Sequence, residues 1–204
     1  MAWFQSEQTQ QLAHGAVQEI TLSRQEIGEH NFPLLQEALS RAIRGMKIGK
    51  PSEKDVKLLF QGRGWVECSV RVWCKEETNR VGDKRSIIHT SLFEKGRKNP
   101  IGRRTYTIDH YPTEVRIHSN MEVGFGYEGH RIGSALIHAT DEVVERFLTL
   151  AKKEVEGKRV EMKIEDEAYA QDSLHLNRNN WTSVQADRMG FAPQTDNTYV
   201  KRYR

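Results

Sequence analysis

Residues 121–147 read MEVGFGYEGHRIGSALIHATDEVVERF, and this stretch decides the class of fold. Upstream of it, Val115, Ile117, Ser119, Met121 and Val123 fall on one face of a strand and Arg116, His118, Asn120 and Glu122 on the other. Gly124, Gly126, Gly129 and Gly133 then punctuate ten residues. After them Ala135, Leu136, Ala139, Val143, Phe147 and Ala151 form one stripe of a long helix beginning near Ile132. A strand that runs through a glycine-rich turn into an amphipathic helix belongs to an α/β protein. Such a turn also suits an anion, because successive backbone N–H groups face one concavity and the helix start adds the positive end of its dipole. A plain tight turn into a structural helix fits the glycines equally well.

Working outward, Gly157 closes the helix and 159–164 reads as another strand. A last helix is expected over 179–189, stopped by Gly190, and a final strand over 198–202. Upstream, 65–75 alternates clearly, 86–93 is a strand, and 96–103 reads as a basic turn. Before these, 33–46 has helical spacing and stops near Gly45, and Ser52 caps a second short helix that ends at Gly62. A weakly patterned strand is expected at 16–22, after a loose tail over 1–14. The expected fold is α/β, one domain over 1–204, with a mixed, mostly antiparallel sheet flanked by helices.

Composition agrees with a folded chain. Its 204 residues are long enough for one sizeable core, and 37% hydrophobic with 29% charged residues is polar yet too rich in aromatic side chains for disorder. No apolar run approaches the roughly 18 residues of a membrane helix, and MAWFQSEQTQQ lacks the pattern of a secretory leader, so a cytoplasmic protein with no membrane partner is expected. The net charge of +3 is too balanced for wholesale nucleic-acid binding. Locally, eight cations face two carboxylates between Arg80 and Arg104, which suits an anionic partner or a solvated basic face.

Cys68 and Cys74 share the apolar face of 65–75 about 20 Å apart, at about 3.3 Å per residue. That is too far for a mutual disulfide, and small core side chains in a reducing compartment are expected. Trp65 and Trp73 fall on the opposite face, lining a groove or lying under a helix. The histidines show no metal-ligand spacing, Ser134 lacks a nucleophile elbow, and no metal is assigned. The loop is not a Walker loop, since no Gly-Lys-Ser/Thr follows, and its helix begins too late for a dinucleotide fingerprint.

In layout and in two motifs the chain resembles the GNAT superfamily of acyl-CoA-dependent N-acyltransferases. The first motif is the phosphate loop, where Val123, Tyr127, Gly129, Ile132, Gly133, Ser134, Ala135 and Leu136 fall on family-like positions. The second is an Asn eleven residues before a Gly-Phe pair, met by Asn179 and Gly190-Phe191. Three residues depart from the pattern: Glu128 stands at the Gln/Arg position, Arg131 at the first Gly, and Ala186 where many members carry the Tyr that protonates the departing thiolate.

The resemblance implies a splay between the strand ending at Val123 and the one at 160–164, with acetyl-CoA as co-substrate. Glu128, Gly129, His130, Arg131, Ile132, Gly133 and Ser134 would hold its diphosphate, with Arg131 and His130 adding charge and Glu128 turned outward. Backbone groups at Met121 to Val123 would pair with the pantetheine, and Asn179 completes the cofactor set. The implied activity is N-acetyl transfer to an amine in a ternary complex. His118 or Glu122 is the candidate base, and Tyr169 or Tyr199 the candidate acid. The acceptor is left open among a small molecule, a peptide and an aminoacyl-tRNA, and a homodimer is compatible. The alternative is a catalytically inactive CoA-binding, nucleic-acid or protein-interaction module on the same scaffold.

Overall fold

The computed structural model describes residues 22–78, 82–165, 187–195 and 198–203. Helix α1 (Arg24–Arg44) begins nine residues before the expected start, because Ser23 and Glu26 form a capping box. The Ser23 side chain accepts from the Glu26 amide, and the Glu26 carboxylate accepts from the Ser23 amide at 2.8 Å. Pro33, taken from the sequence as an N-terminal residue, lies inside the helix. Gly45 ends it as expected.

Five strands follow as an antiparallel meander: β1 (Ser52–Phe60), β2 (Gly64–Thr78), β3 (Lys84–Glu94), β4 (Gly102–His110) and β5 (Glu114–Val123). β1 replaces the second helix expected there. Its Glu, Lys and Leu content favours a helix, but Leu58 and Phe60, two residues apart, are both buried, and every residue of β1 pairs across to β2. β4 lies largely beyond the basic turn read from the sequence. Its alternation of Arg104, Tyr106 and Ile108 with Thr105, Thr107 and Asp109 puts the first three on the core side.

The expected long helix is broken into α2 (Ile132–His138), α3 (Thr140–Leu150) and the single turn α4 (Lys152–Val155). They carry the chain across to β6 (Arg159–Glu165), which is parallel to β5, as a parallel neighbour requires a long crossover. β7 (Ala192–Thr195), not foreseen, and β8 (Thr198–Tyr203) complete one open eight-stranded sheet, order β1-β2-β3-β4-β5-β6-β8-β7. The β5–β6 rungs run from Glu114↔Arg159 to Ser119↔Ile164, whereas β5 continues through Met121 to Val123. The strand expected at 16–22, apart from Leu22, and most of the helix at 179–189 lie outside the described residues.

One sheet face is the core. Val70 and Val72 of β2, Ile88 of β3, Tyr106 and Ile108 of β4, Ile117 of β5 and Met162 of β6 are wholly buried against α1, α2 and α3. Cys68 and Cys74 sit among them as free thiols, and burial pushes their pKa values up to about 12 and about 11. The other face is a lattice of charge: Arg71 pairs with Glu53 at 2.9 Å, Arg85 with Asp109 at 2.7 Å and Arg103 with Glu122 at 2.9 Å. Trp73 lies on that face, 39% exposed, with no described helix packed over it. An antiparallel sheet tolerates one wet face in this way. No described helix is long and apolar enough to cross a membrane.

Candidate anion-binding loop

Alternation along β5 delivers Met121 and Val123 to the core side, and both side chains point at the next structural unit. The loop turns immediately after them. The Tyr127 amide closes a turn on the Gly124 carbonyl at 3.1 Å, and Gly126 and Gly129 take positive φ values of 86° and 80°. Arg131, at φ 61°, is the N-cap of α2 and, among the described residues, the one non-glycine in the left-handed region. It makes no side-chain cap, so the first amides of α2, from Ile132 through Ser134, are not taken up by a capping side chain.

Helix α1 braces this loop from outside. A Cβ on Gly28 would stand 2.6 Å from the Gly129 carbonyl oxygen and 3.2 Å from the His130 carbonyl carbon, so only glycine allows this approach. Between the loop, the end of β5 and the start of α1 lies a cavity of about 740 Å³, within the roughly 300–1,000 Å³ of small-molecule sites. Met121, Val123, Glu128, Gly129 and Arg131 through Ser134 line it, together with Arg24, Gln25 and Tyr127.

Two guanidiniums thus face the cavity. Arg131 stands 3.7 Å from the exposed Glu29 carboxylate, and Arg24 donates to the Gln61 side-chain carbonyl at 3.0 Å. Glu128, the carboxylate expected to turn outward, folds back onto the loop and accepts from the Gly126 amide at 2.7 Å. Its charge is therefore partly spent on the loop's own backbone. A concave surface with the uncapped first amides of α2 and two cations against one carboxylate can hold a phosphate or diphosphate.

The chain matches no family model, no curated protein and no solved structure.

The remaining sequence-based candidates fall elsewhere. His130 does not line this cavity. It is 3% exposed, turned against the Phe60 ring 5.2 Å away, and lines a smaller pocket on the far side of Tyr127. His118 and Glu122 project from β5 on the charged face, opposite Met121 and Val123, and Glu122 is ion-paired with Arg103. Tyr199 is buried in β8. Tyr169 and Asn179 lie outside the described residues.

The basic run from 80 to 104 is largely neutralised in place. Lys84 meets Glu76 and Glu154, Lys95 meets Glu67, and Arg97 meets Glu94. Arg104 is 2% exposed. This last residue escaped the sequence reading as anything but a surface cation, although the β4 alternation carries the signal. Its Nη2 donates to the Ser119 hydroxyl at 2.8 Å and its guanidinium lies 5.4 Å from the Tyr106 ring centre, while Nε and Nη1 have no partner among the described residues. Burial works against its charge, and among the described residues no carboxylate pairs with it.

Proposed function

We propose that the protein is an acyl-CoA-dependent N-acetyltransferase that holds the carrier's diphosphate in the 740 Å³ cavity and its pantetheine arm along the end of β5. The observation that carries this reading is the continuity of two features. The glycine loop, leading into the uncapped first amides of α2, is joined, through Met121 and Val123, to the one stretch of β5 that runs on beyond its last rung with β6. Among the described residues no strand pairs with that edge of β5, which suits an extended ligand that adds itself like a strand. The strand order, with β5 and β6 parallel and bridged by the loop and its helices, supports the same reading.

In the transfer the amine nitrogen bonds to the acyl carbon, the carbon–sulfur bond breaks toward the thiolate, and the amine gives up a proton. The loop and cavity contribute position and charge stabilisation. His118 flanks Ser119, where the rungs end, on the charged face, so the acceptor enters from that face and His118 takes its proton. An imidazole exchanges protons near neutral pH. Glu122 on the same face is held by Arg103 and serves as the second candidate.

A binding module without catalysis is the second reading, favoured by the separation of His118 and Glu122 from the cavity across the sheet and by Ala186 at the position of the usual acid. Titration calorimetry with acetyl-CoA, followed by thiol release over an amine panel, separates the two. Binding with turnover that His118→Ala abolishes supports the transferase, and binding without turnover supports the module. Absence of binding to the folded protein refutes both. Gly133→Glu serves as the site control: its side chain enters the cavity beside Met121 and Val123, so affinity is expected to fall at least about 100-fold as charge-assisted bonds are lost to a like charge.

A further inference from the structure

Beside the main cavity lies a second pocket of about 290 Å³, and the two share Arg24 and Tyr127 as lining residues. We propose that this pocket is a nucleotide site that takes the 3′-phosphoadenosine end of the acyl carrier, and so selects CoA over carriers that lack the 3′-phosphate. The inference rests on the reading of the larger cavity as the diphosphate site.

Charge is the first argument. Three arginines, Arg24, Arg63 and Arg97, line the pocket, and among the described residues no carboxylate does. One acid, Glu94, stands behind them. It accepts from both Nη atoms of Arg63, from Arg97 Nε at 3.1 Å and from the Tyr127 hydroxyl at 2.9 Å, while its own side chain is only 12% exposed. Arg63 above all holds the Glu94 carboxyl below the usual range. A single carboxylate thus fixes two arginines and offsets one of their charges. Arg24 is bonded to an uncharged amide. The pocket therefore presents a pre-oriented excess of positive charge, and the donor fork of an arginine fits a phosphate.

Two further observations point to the rest of the ligand. Phe125, between Gly124 and Gly126 at the loop tip, is 98% exposed and lines the pocket. A bare aromatic ring beside a cationic pocket is a stacking surface for a purine, which every base can use through its π face. His130, at 3% exposure, also lines the pocket. Its Nδ1 lies 3.2 Å and 3.1 Å from the carbonyl oxygens of Tyr127 and Glu128, which can only accept, so Nδ1 carries the hydrogen. That leaves Nε2 as a buried acceptor with no partner among the described residues. A ribose hydroxyl or adenine amino hydrogen satisfies it, and a buried polar atom ordinarily has such a partner.

The test is calorimetry on the full chain with three probes: CoA, 3′-dephospho-CoA and adenosine 3′,5′-bisphosphate. Wild type is expected to bind CoA at least tenfold more tightly than dephospho-CoA. Arg97→Gln, at a side chain 56% exposed, removes that preference by weakening CoA and the bisphosphate while leaving dephospho-CoA unchanged. Phe125→Ser weakens all three probes by a similar factor. Circular dichroism and thermal unfolding confirm that both variants fold. Equal affinity of wild type for CoA and dephospho-CoA overturns this inference and leaves the acyl-carrier reading standing. Binding of the bisphosphate with none of CoA refutes the carrier reading and overturns with it the assignment of this pocket to the carrier's nucleotide end. If no probe binds, both fall.

Discussion

Gly28→Ala is the substitution that most directly questions the architecture of the loop. The added methyl would lie 2.6 Å from the Gly129 carbonyl oxygen, 2.8 Å from Arg131 Cγ and 3.2 Å from the His130 carbonyl carbon. Two of these three atoms are backbone, so relief requires the loop and α1 to separate by several tenths of an ångström. In an isolated helix the change from Gly to Ala stabilises by about 1 kcal/mol. Overpacking a close contact costs about 1–3 kcal/mol, and a backbone neighbour puts the cost toward the upper end. The net expectation is a loss of about 1–2 kcal/mol, or roughly 3–6 °C in Tm for a domain of this size.

Gly133→Ala is the matched contrast. Its new methyl meets the mobile end of Met121 at 3.3 Å and Val123 Cγ2 at 3.4 Å, so the helix gain survives and Tm holds or rises. Scanning calorimetry reads both variants, and titration with CoA reads whether the displaced loop still binds. Gly28→Ala with unchanged Tm and unchanged affinity would refute the claim that α1 holds the loop in shape.

Further outcomes are expected elsewhere in the molecule. Glu94→Gln should cost stability that depends on pH. The carboxyl is depressed in the folded state by Arg63, so its contribution is full above the unfolded value of about 4.3 and disappears as pH falls through the folded one; urea titrations of both proteins should converge toward acid pH. Cys68 and Cys74, with thiols pushed up to about 12 and about 11, should resist alkylation at pH 8 in the native protein and react fully in denaturant, which mass spectrometry counts. Arg104→Met should leave Tm unchanged or raise it, because it removes a buried charge with two nitrogens that find no partner among the described residues; a fall of more than about 3 kcal/mol in chemical denaturation would mean that the charge is compensated in solution.

How far the sequence was legible follows from which physical signal each element carries. β2 and β5 were readable because alternation along them coincides with burial, and Cys68 through Cys74 mark the core face without ambiguity. The glycine loop was readable because Gly126 and Gly129 occupy conformations that demand glycine. β1 was not, since its charged residues favour a helix and only the partner strand overrides them. β4 was hidden by Arg103 and Arg104, whose charges suggest a wet turn although one is ion-paired on the open face and the other is buried. The break at Ala139 has no local signature, lacking both glycine and proline. At the site, the loop residues themselves were identified, but Arg24 and Gly28 sit about a hundred positions away and come to it only through the packing of α1.

The parallel pairing of β5 with β6 has a consequence for the order of assembly. β1 to β5 are linked by short reversals, so their rungs close cheaply from neighbouring chain, whereas β6 must wait for a crossover of some three dozen residues to settle. The meander is therefore the early-folding half, and the glycine loop belongs to the later-folding crossover. In pulsed hydrogen exchange during refolding, amides of β2 to β4 should gain protection ahead of those in β6, so that the loop takes its final shape only after the strands it leaves are already paired.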